Sequence, residues 1–366
     1  MVVVGLCDGL VPMSRGTDRR IGQYFAATRV PSMNVVLSSE LEGGALDDAT
    51  RLALFRAMLY VRRVEERLVG LYGEQEIRCP THFSIGQEAV SAGVSAHMST
   101  EDYAISAHRS HAHYLNKGGD IRAMLAELYG KSTGCARGKG GSMHLIDLSV
   151  NFLGCVPIVG STIPIGVGAA FGAALQDQRR LCVIYFGDGA SESGVFYEAL
   201  NWAVLQQLAV LFVCENNQYS VHTPLALRQP QSRTIRQMAD GIGVRAFAGD
   251  GQLVEDVYKL VGKAIAHIRS GNGPALIEFQ TYRWLEHCGP QYDVNLGYRP
   301  AGEFESWTAR CPVALQRDQL MSAGLLDATS LDAVENEIKM IIDDAIAFAK
   351  TSPYPARDAA SAHIYA

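Results

Sequence analysis

The chain has 366 residues, of which 48% are hydrophobic and 19% charged, and its formal net charge is -6 at pH 7. This length allows one large buried core or two smaller ones, and the acidic balance excludes the basic footprint of a nucleic-acid-binding protein. No stretch approaches the roughly 18 consecutive apolar residues of a membrane span, and the N-terminal apolar run is too short for a secretory signal. We therefore expect neither a nucleic-acid nor a membrane partner.

The eight cysteines form no C-x-x-C pair, and several lie in apolar segments. This pattern is typical of reduced, buried thiols rather than of a disulfide framework. It predicts a cytoplasmic location.

The first part of the chain mixes glycine, serine, arginine and proline without sustained periodicity, which is typical of an extended arm or a disordered tail. A helical pattern then begins at Asp47 or Asp48, either of which can cap it, and ends near Gly73. The predicted organisation is an N-terminal arm, an α/β domain, and a C-terminal helical region with a tail, over residues 1–45, 46–300 and 301–366.

Two apolar runs, 181–186 and 209–214, flank a helical pattern that opens at Ser191. Short apolar runs that end at turn residues are typical of strands buried on both faces of a parallel sheet. The carboxyl ends of two such strands meet at one edge, where ligands bind in open α/β sheets. The sequence therefore predicts an α/β fold with a mostly parallel sheet, helices on both faces, and a ligand site at this edge.

Glycine and polar residues follow both runs. Gly187, Asp188 and Gly189 come after the first strand, and Asn216 and Asn217 come after the second. Glycine lets the backbone approach a ligand closely, and amides at a helix start bind phosphate. Asp188 and Asn217 offer the hard oxygen ligands that magnesium prefers. Either half alone is more often an ordinary turn, but together they indicate a metal and phosphate site.

The segments GDGASESGVFYEALN (187–201) and VCENNQYS (213–220) resemble the thiamin diphosphate signature. More narrowly, they are similar to the alpha subunit of the decarboxylating component of 2-oxo acid dehydrogenase complexes, which include pyruvate, branched-chain and acetoin dehydrogenases. This resemblance implies a thiamin diphosphate-binding fold, with thiamin diphosphate and Mg²⁺ as cofactors. Asp188, the Asn217 side chain and the backbone carbonyl of Tyr219 would bind the metal, and Gly189 and Ala190 would lie against the diphosphate.

Two histidine-bearing segments extend the resemblance. His82 stands four residues before a Gly-Gln-Glu-Ala helix start, as the family's active-site histidine does, although a loop histidine alone is more often structural. In ISAHRSHAHY (105–114), Arg109 would bind the diphosphate with His108 beside it, and His111 matches another active-site histidine. Taken without the resemblance, this loop is also compatible with a solvated basic loop or, less often, a zinc site built on H-x-x-H-x-H.

Three further segments match the same family. The glycine- and lysine-rich loop GKSTGCARGKGGSMHL (130–145) is close to it, and its glycine spacing is not that of a P-loop. The segment VPIVGSTIPIGVGAA (156–170) resembles the one that holds the aminopyrimidine ring, where Val159 would offer backbone groups. His287 falls on the histidine that lines the cofactor channel and assists acyl transfer, whereas Cys288 replaces the serine phosphorylated in mitochondrial relatives.

The resemblance implies an enzyme that is active only with a beta subunit, whose glutamate completes the cofactor site, in an α2β2 heterotetramer. The implied reaction is decarboxylation of a small 2-oxo acid, or cleavage of acetoin, with transfer of the acyl group to the lipoyl domain of an acyltransferase. The altered loop around His287 leaves open a carboligase that passes a two-carbon unit to a carbonyl acceptor such as a keto sugar. A scaffold without catalysis is disfavoured by the presence of Asp188, Asn217, Arg109 and His287.

Overall fold

The computed structural model describes residues 46–362. The predicted N-terminal arm, residues 1–45, and the end of the predicted tail, residues 363–366, lie outside this part of the chain. No helix within residues 46–362 is both long and apolar enough to cross a bilayer.

A six-stranded parallel sheet forms the centre of the described residues. Its strands, in chain order, are β1 (Tyr103–Ser106), β2 (Phe152–Cys155), β3 (Cys182–Gly187), β4 (Val210–Asn216), β5 (Arg245–Asp250) and β6 (Ala275–Gln280). In space they follow the order β2-β1-β3-β4-β6-β5. The predicted parallel α/β sheet is therefore confirmed.

Helices cover the sheet and extend beyond it. They are α1 (Asp48–Tyr72), α2 (Glu88–Ser95), α3 (His111–Asn116), α4 (Ile121–Leu128), α5 (Thr162–Leu175), α6 (Gly194–Leu205), α7 (Leu225–Arg228), α8 (Ile235–Ile242), α9 (Val254–Arg269), α10 (Glu303–Thr308), α11 (Pro312–Ser322) and α12 (Ala328–Thr351). The cap predicted for α1 is confirmed, because the carboxylate of Asp47 accepts the backbone N–H of Thr50 at 2.8 Å. Asp120 caps α4 in the same way, accepting the backbone N–H of Arg122 at 2.8 Å.

Alternating side chains of the central strands enter two separate cores. Val183 and Tyr185 of β3 face the core that contains side chains of α1, α2, α4, α9 and α12. Cys182, Ile184 and Phe186 face the opposite core, formed with α5, α6 and α8. Because successive strand residues point to opposite faces, a strand that is apolar throughout must be covered on both sides.

The segment 105–114 differs from its predicted loop. Its first residues lie in β1, which pairs with β2 on one side and β3 on the other, and α3 begins at His111. A four-residue strand has no periodicity of its own, so the pairing on both sides decides its conformation. The helix predicted from Ser191 also differs, because a 3₁₀ helix over Asp188–Glu192 precedes α6.

The last helix, α12, returns the chain to the first half of the fold. Arg63 of α1 forms an ion pair with Glu335, and Arg122 of α4 forms one with Asp344 at 2.7 Å. Beyond it, the carbonyl of Pro353 accepts the backbone N–H of Ser132 at 2.9 Å. The start of the tail is thereby held against the glycine-rich loop.

Candidate active site

The ends of β3 and β4 bring the predicted metal ligands to one edge of the sheet. The two strands pair in parallel up to Gly187 and Glu215, so Asp188 and Asn217 leave the sheet from neighbouring strands. Both side chains are buried. Asn216, by contrast, donates to Glu278 of β6 at 2.8 Å and serves the turn itself.

The Asn217 side chain is oriented by two hydrogen bonds. Its Nδ2 donates to Oε1 of Gln87 at 3.2 Å, and its Oδ1 accepts the backbone N–H of Tyr219, also at 3.2 Å. An amide oxygen has two lone pairs, so Oδ1 keeps one for a cation. Gln218, which lies between Asn217 and Tyr219, has a φ of 69°, and this turns the backbone so that Tyr219 begins a short hairpin.

Asp188 lies against a cation that the sequence analysis did not find. Its Oδ2 forms an ion pair with Nη2 of Arg228, while Nη1 of the same guanidinium pairs with Glu192. Burial raises the pKa of the Asp188 carboxyl, and the positive charge of Arg228 offsets part of that increase. The partner is 40 residues away in sequence, at the end of α7, where no local pattern marks it.

The backbone beside Asp188 is shaped for a close approach. A Cβ placed on Gly189 would lie 2.9 Å from Oγ of Ser220, and the next residue, Ala190, is buried. Together with hard oxygen donors at Asp188 and Asn217, this narrow turn fits a divalent cation and the diphosphate of a cofactor.

Three histidines from separate segments meet in one cluster. The ring centroids of His82 and His108 are 4.4 Å apart, and that of His287 lies 4.9 Å from His82 and 5.3 Å from His108. The buried Nδ1 of His82 has no hydrogen-bond partner within residues 46–362. The ligand atoms of the three rings lie within 4.8 Å of one another, so the cluster could also hold a transition metal ion.

Burial and neighbouring positive charge keep this cluster neutral. Burial, followed by the charge of Arg109, lowers the pKa of His108 to about 4 and that of His287 to about 3. The same causes, in the same order, lower the pKa of His82. Each ring therefore presents one donor and one acceptor nitrogen near neutral pH.

Arg109 joins two of the segments that carry these histidines. Its Nη1 donates to the carbonyl of Phe83 and its Nη2 to the carbonyl of His287 at 3.1 Å. Burial, and then the positive charge of Arg283, lower the pKa of Arg109 to about 10. Within residues 46–362 no carboxylate forms an ion pair with this guanidinium.

His111 and His113 do not join the cluster. Nδ1 of His111 lies 3.0 Å from Glu65 and its Nε2 lies 2.7 Å from Oγ of Ser142, while His113 contacts Ser106 and Glu215. The H-x-x-H-x-H zinc alternative is therefore wrong as a local site, because its three histidines point to different partners.

Similarity to known proteins agrees with this geometry. Residues 56–358 match the family model of the dehydrogenase E1 component. The chain is 35% identical over 311 residues to the pyruvate dehydrogenase E1 component subunit alpha of Rickettsia bellii (strain RML369-C), which covers 85% of this chain and 94% of that relative. It is 36% identical over 316 residues to the mitochondrial somatic form of that subunit in Rattus norvegicus, covering 86% and 79%. The chain belongs to the dehydrogenase E1 component family.

In this E1 chain the glycine-rich loop 130–145 is organised by a single buried carboxylate. Glu127 accepts four backbone N–H groups, from Ala136 and Gly138 at 2.8 Å, Gly140 at 2.7 Å and Gly141 at 3.0 Å. The loop therefore binds an internal anion in the way that such loops bind phosphate. Sequence reasoning missed Glu127, since its place inside an ordinary helical pattern gives no sign of this role.

The remaining predicted site residue of the E1 chain, Val159, lies on the surface. It is 53% exposed, next to Gly160, whose Cβ position would be 2.5 Å from Oγ of Ser193. Val159 thus lies beside the start of α6, and its side chain is not buried by any of the described residues.

Proposed function

We propose that this chain is the alpha subunit of a thiamin diphosphate-dependent 2-oxo acid dehydrogenase that acts on pyruvate or a closely similar acid. The observation that carries the proposal is the position of Asp188 and Asn217 after neighbouring strands in a chain that matches the E1 family over residues 56–358. The relatives named pyruvate dehydrogenase support a pyruvate-type substrate over acetoin and over the carboligase alternative. We infer a cytoplasmic enzyme, a location that the free thiols of the described cysteines support.

We assign Asp188, the Asn217 side chain and the Tyr219 carbonyl to Mg²⁺, and Gly189 and Ala190 to the adjacent diphosphate. When bound, thiamin diphosphate supplies the electron sink that decarboxylation requires. The backbone of Val159 would hold the aminopyrimidine ring. Arg109 would face the diphosphate, because its buried charge has carbonyls rather than carboxylates as hydrogen-bond partners.

We assign proton exchange with substrate and acyl acceptor to the histidine cluster. Each neutral ring offers a bound ligand one donor and one acceptor nitrogen, and His287 lies on the loop that the family uses at the acceptor channel. His82 and His108 contact the His287 ring and limit its orientation. His111 would act more indirectly, since both of its nitrogens already have partners.

An exposed apolar face supports a beta-subunit partner. Helix α5 contains no charged residue, yet Ile165 is 53% and Leu175 is 70% exposed. On the adjoining α6, Trp202 and Leu205 are 44% and 65% exposed. Several large apolar side chains exposed on two adjoining helices are typical of a protein interface. We propose that the beta subunit covers this face in an α2β2 heterotetramer, and that a lipoyl acyltransferase receives the acyl group.

The metal assignment is tested by cofactor binding to the chain co-produced with its beta subunit. Asp188→Asn removes the charged ligand, so calorimetry with Mg²⁺ present should show a large loss of thiamin diphosphate affinity. Asp318→Asn is the matched control, because Asp318 is an exposed aspartate that pairs with Arg317. Wild-type affinity in Asp188→Asn would overturn the assignment.

The partner assignment is tested by assembly. Leu205→Glu places a charge on the apolar face and should prevent co-purification with the beta subunit, and with it turnover of pyruvate. Met340→Glu makes the same kind of change at an exposed apolar residue of α12, which is 67% exposed, and should assemble normally. Turnover by the purified chain alone, with cofactor and Mg²⁺ supplied, would contradict the requirement for a beta subunit.

A further inference from the structure

Arg228 is held at the metal edge by an acceptor for each of its nitrogens. Nε donates to the carbonyl of Thr223 at 3.1 Å, Nη1 pairs with Glu192, and Nη2 pairs with Asp188. The side chain is 10% exposed, and the Cβ position of Gly189 is 3.7 Å from its Nη1. The guanidinium therefore lies directly beside the turn assigned to the diphosphate.

A metal ion on Asp188 changes the balance of charge around Arg228. The same carboxylate would then face a divalent cation and a guanidinium, and the two cations repel each other at such short range. Asp188 is buried and its Oδ2 contacts Nη2 directly, so a metal ion bound to the same carboxylate lies close to the guanidinium. Binding of the ion therefore favours a new partner for Nη2.

The cofactor offers that partner. A diphosphate and Asp188 together carry more negative charge than one Mg²⁺ neutralises, so a further cation at this edge is favoured. The planar guanidinium suits phosphate oxygens, which it can bind with two parallel hydrogen bonds. Glu192 is 32% exposed and outside the assigned metal ligands, so it can keep Nη1 while Nη2 turns.

We propose that Arg228 is a phosphate-binding residue that exchanges Asp188 for an oxygen of the cofactor diphosphate when the metal ion binds. This inference rests on the proposed function, since it takes thiamin diphosphate as the ligand. It makes two predictions of opposite sign. Arg228 competes with a metal ion that binds without diphosphate, and it strengthens the binding of metal and diphosphate together.

The test uses Arg228→Gln in the chain assembled with its beta subunit. Mn²⁺ binding without cofactor, followed by electron paramagnetic resonance, should become several-fold tighter in the variant. Thiamin diphosphate binding with Mg²⁺ present, followed by calorimetry, should become about 10- to 100-fold weaker, the loss expected for a charge-assisted hydrogen bond. Arg317→Gln, at an exposed arginine that pairs with Asp318, should change neither quantity.

A merely structural arginine gives a different result. If Arg228→Gln weakens Mn²⁺ and cofactor binding together, or changes neither, the exchange is refuted. Arg228→Lys covers failure of the glutamine variant to assemble, because lysine keeps the charge but not the fork. It should weaken cofactor binding measurably but less than Arg228→Gln does, and an unchanged affinity would overturn the inference. If the wild-type assembly itself binds no thiamin diphosphate, the proposed function fails instead, so the two failures are distinguishable.

Discussion

Replacing Glu127 by glutamine should unfold the glycine-rich loop 130–145. The carboxylate holds four backbone amides of the loop, two on each oxygen. Glutamine has the same shape but only one acceptor oxygen, and its amide group would point donors at two N–H groups that are themselves donors. Half of the hydrogen bonds are therefore lost while the shape of the side chain is kept.

The size of the effect follows from the number of bonds. A hydrogen bond to a charged group contributes about 1.5–3 kcal/mol, so two lost bonds lower the free energy of unfolding by about 3–6 kcal/mol. That is a large fraction of the roughly 5–15 kcal/mol that stabilises a typical domain. Activity should fall as well, because Ser142 of this loop contacts the Nε2 of His111.

Chemical denaturation and hydrogen exchange of the assembled enzyme measure both parts. Glu127→Gln should lower the unfolding midpoint and remove exchange protection from the amides of Gly138 and Gly140. The control is Glu337→Gln, since Glu337 forms an exposed ion pair with Arg56 and such pairs contribute about 0–1 kcal/mol. If the two variants are equally stable and the loop amides stay protected, the carboxylate does not organise the loop.

The histidine cluster and the Tyr219 ring give three further predictions. His287→Ala should reduce turnover with a lipoyl acceptor more than turnover with an artificial electron acceptor, and equal losses would remove its role in acyl transfer. The pKa of His108 is about 4 in the folded chain and about 6.5 when unfolded, so the unfolded state binds more protons between these values and stability falls as pH decreases through them. The melting temperature of His108→Gln should therefore decrease less between pH 7 and pH 4.5 than that of the parent. An identical decrease would contradict this. Glu303 accepts hydrogen bonds from the hydroxyls of Tyr219 and Tyr282 at 2.6 and 2.9 Å. Glu303→Ala should therefore destabilise the enzyme by about 1–3 kcal/mol and weaken Mg²⁺ binding. An unchanged metal affinity would show that the position of the Tyr219 ring does not affect its backbone carbonyl.

The sequence alone determined the central strands, the main helices and the class of ligand. Apolar runs bounded by turn residues predict β3 and β4, because a strand buried on both faces needs apolar side chains at every position. Asp47 marks a helix start since capping is a local hydrogen bond. The spacing of Asp188 and Asn217 follows from one strand–helix–strand unit, so it is also local.

Tertiary structure decided which of the polar residues meet. His108, His111 and His113 are adjacent in sequence, but α3 begins at His111 and turns the later two away, while β1 and Arg109 hold His108 near His82. Neither the periodicity nor the motif of the segment contains that information.

The sequence likewise does not predict the partners of the buried charges. Arg228 reaches Asp188 from 40 residues away, and Glu127 gathers amides from a loop that begins after its own helix has ended. The short strands β1 and β2 also depend on tertiary structure, since only pairing with their neighbours in the sheet fixes their conformation. Local patterns report how a residue prefers to fold, whereas a buried charge is placed by whichever distant group satisfies it, and that pairing exists only after the chain has packed.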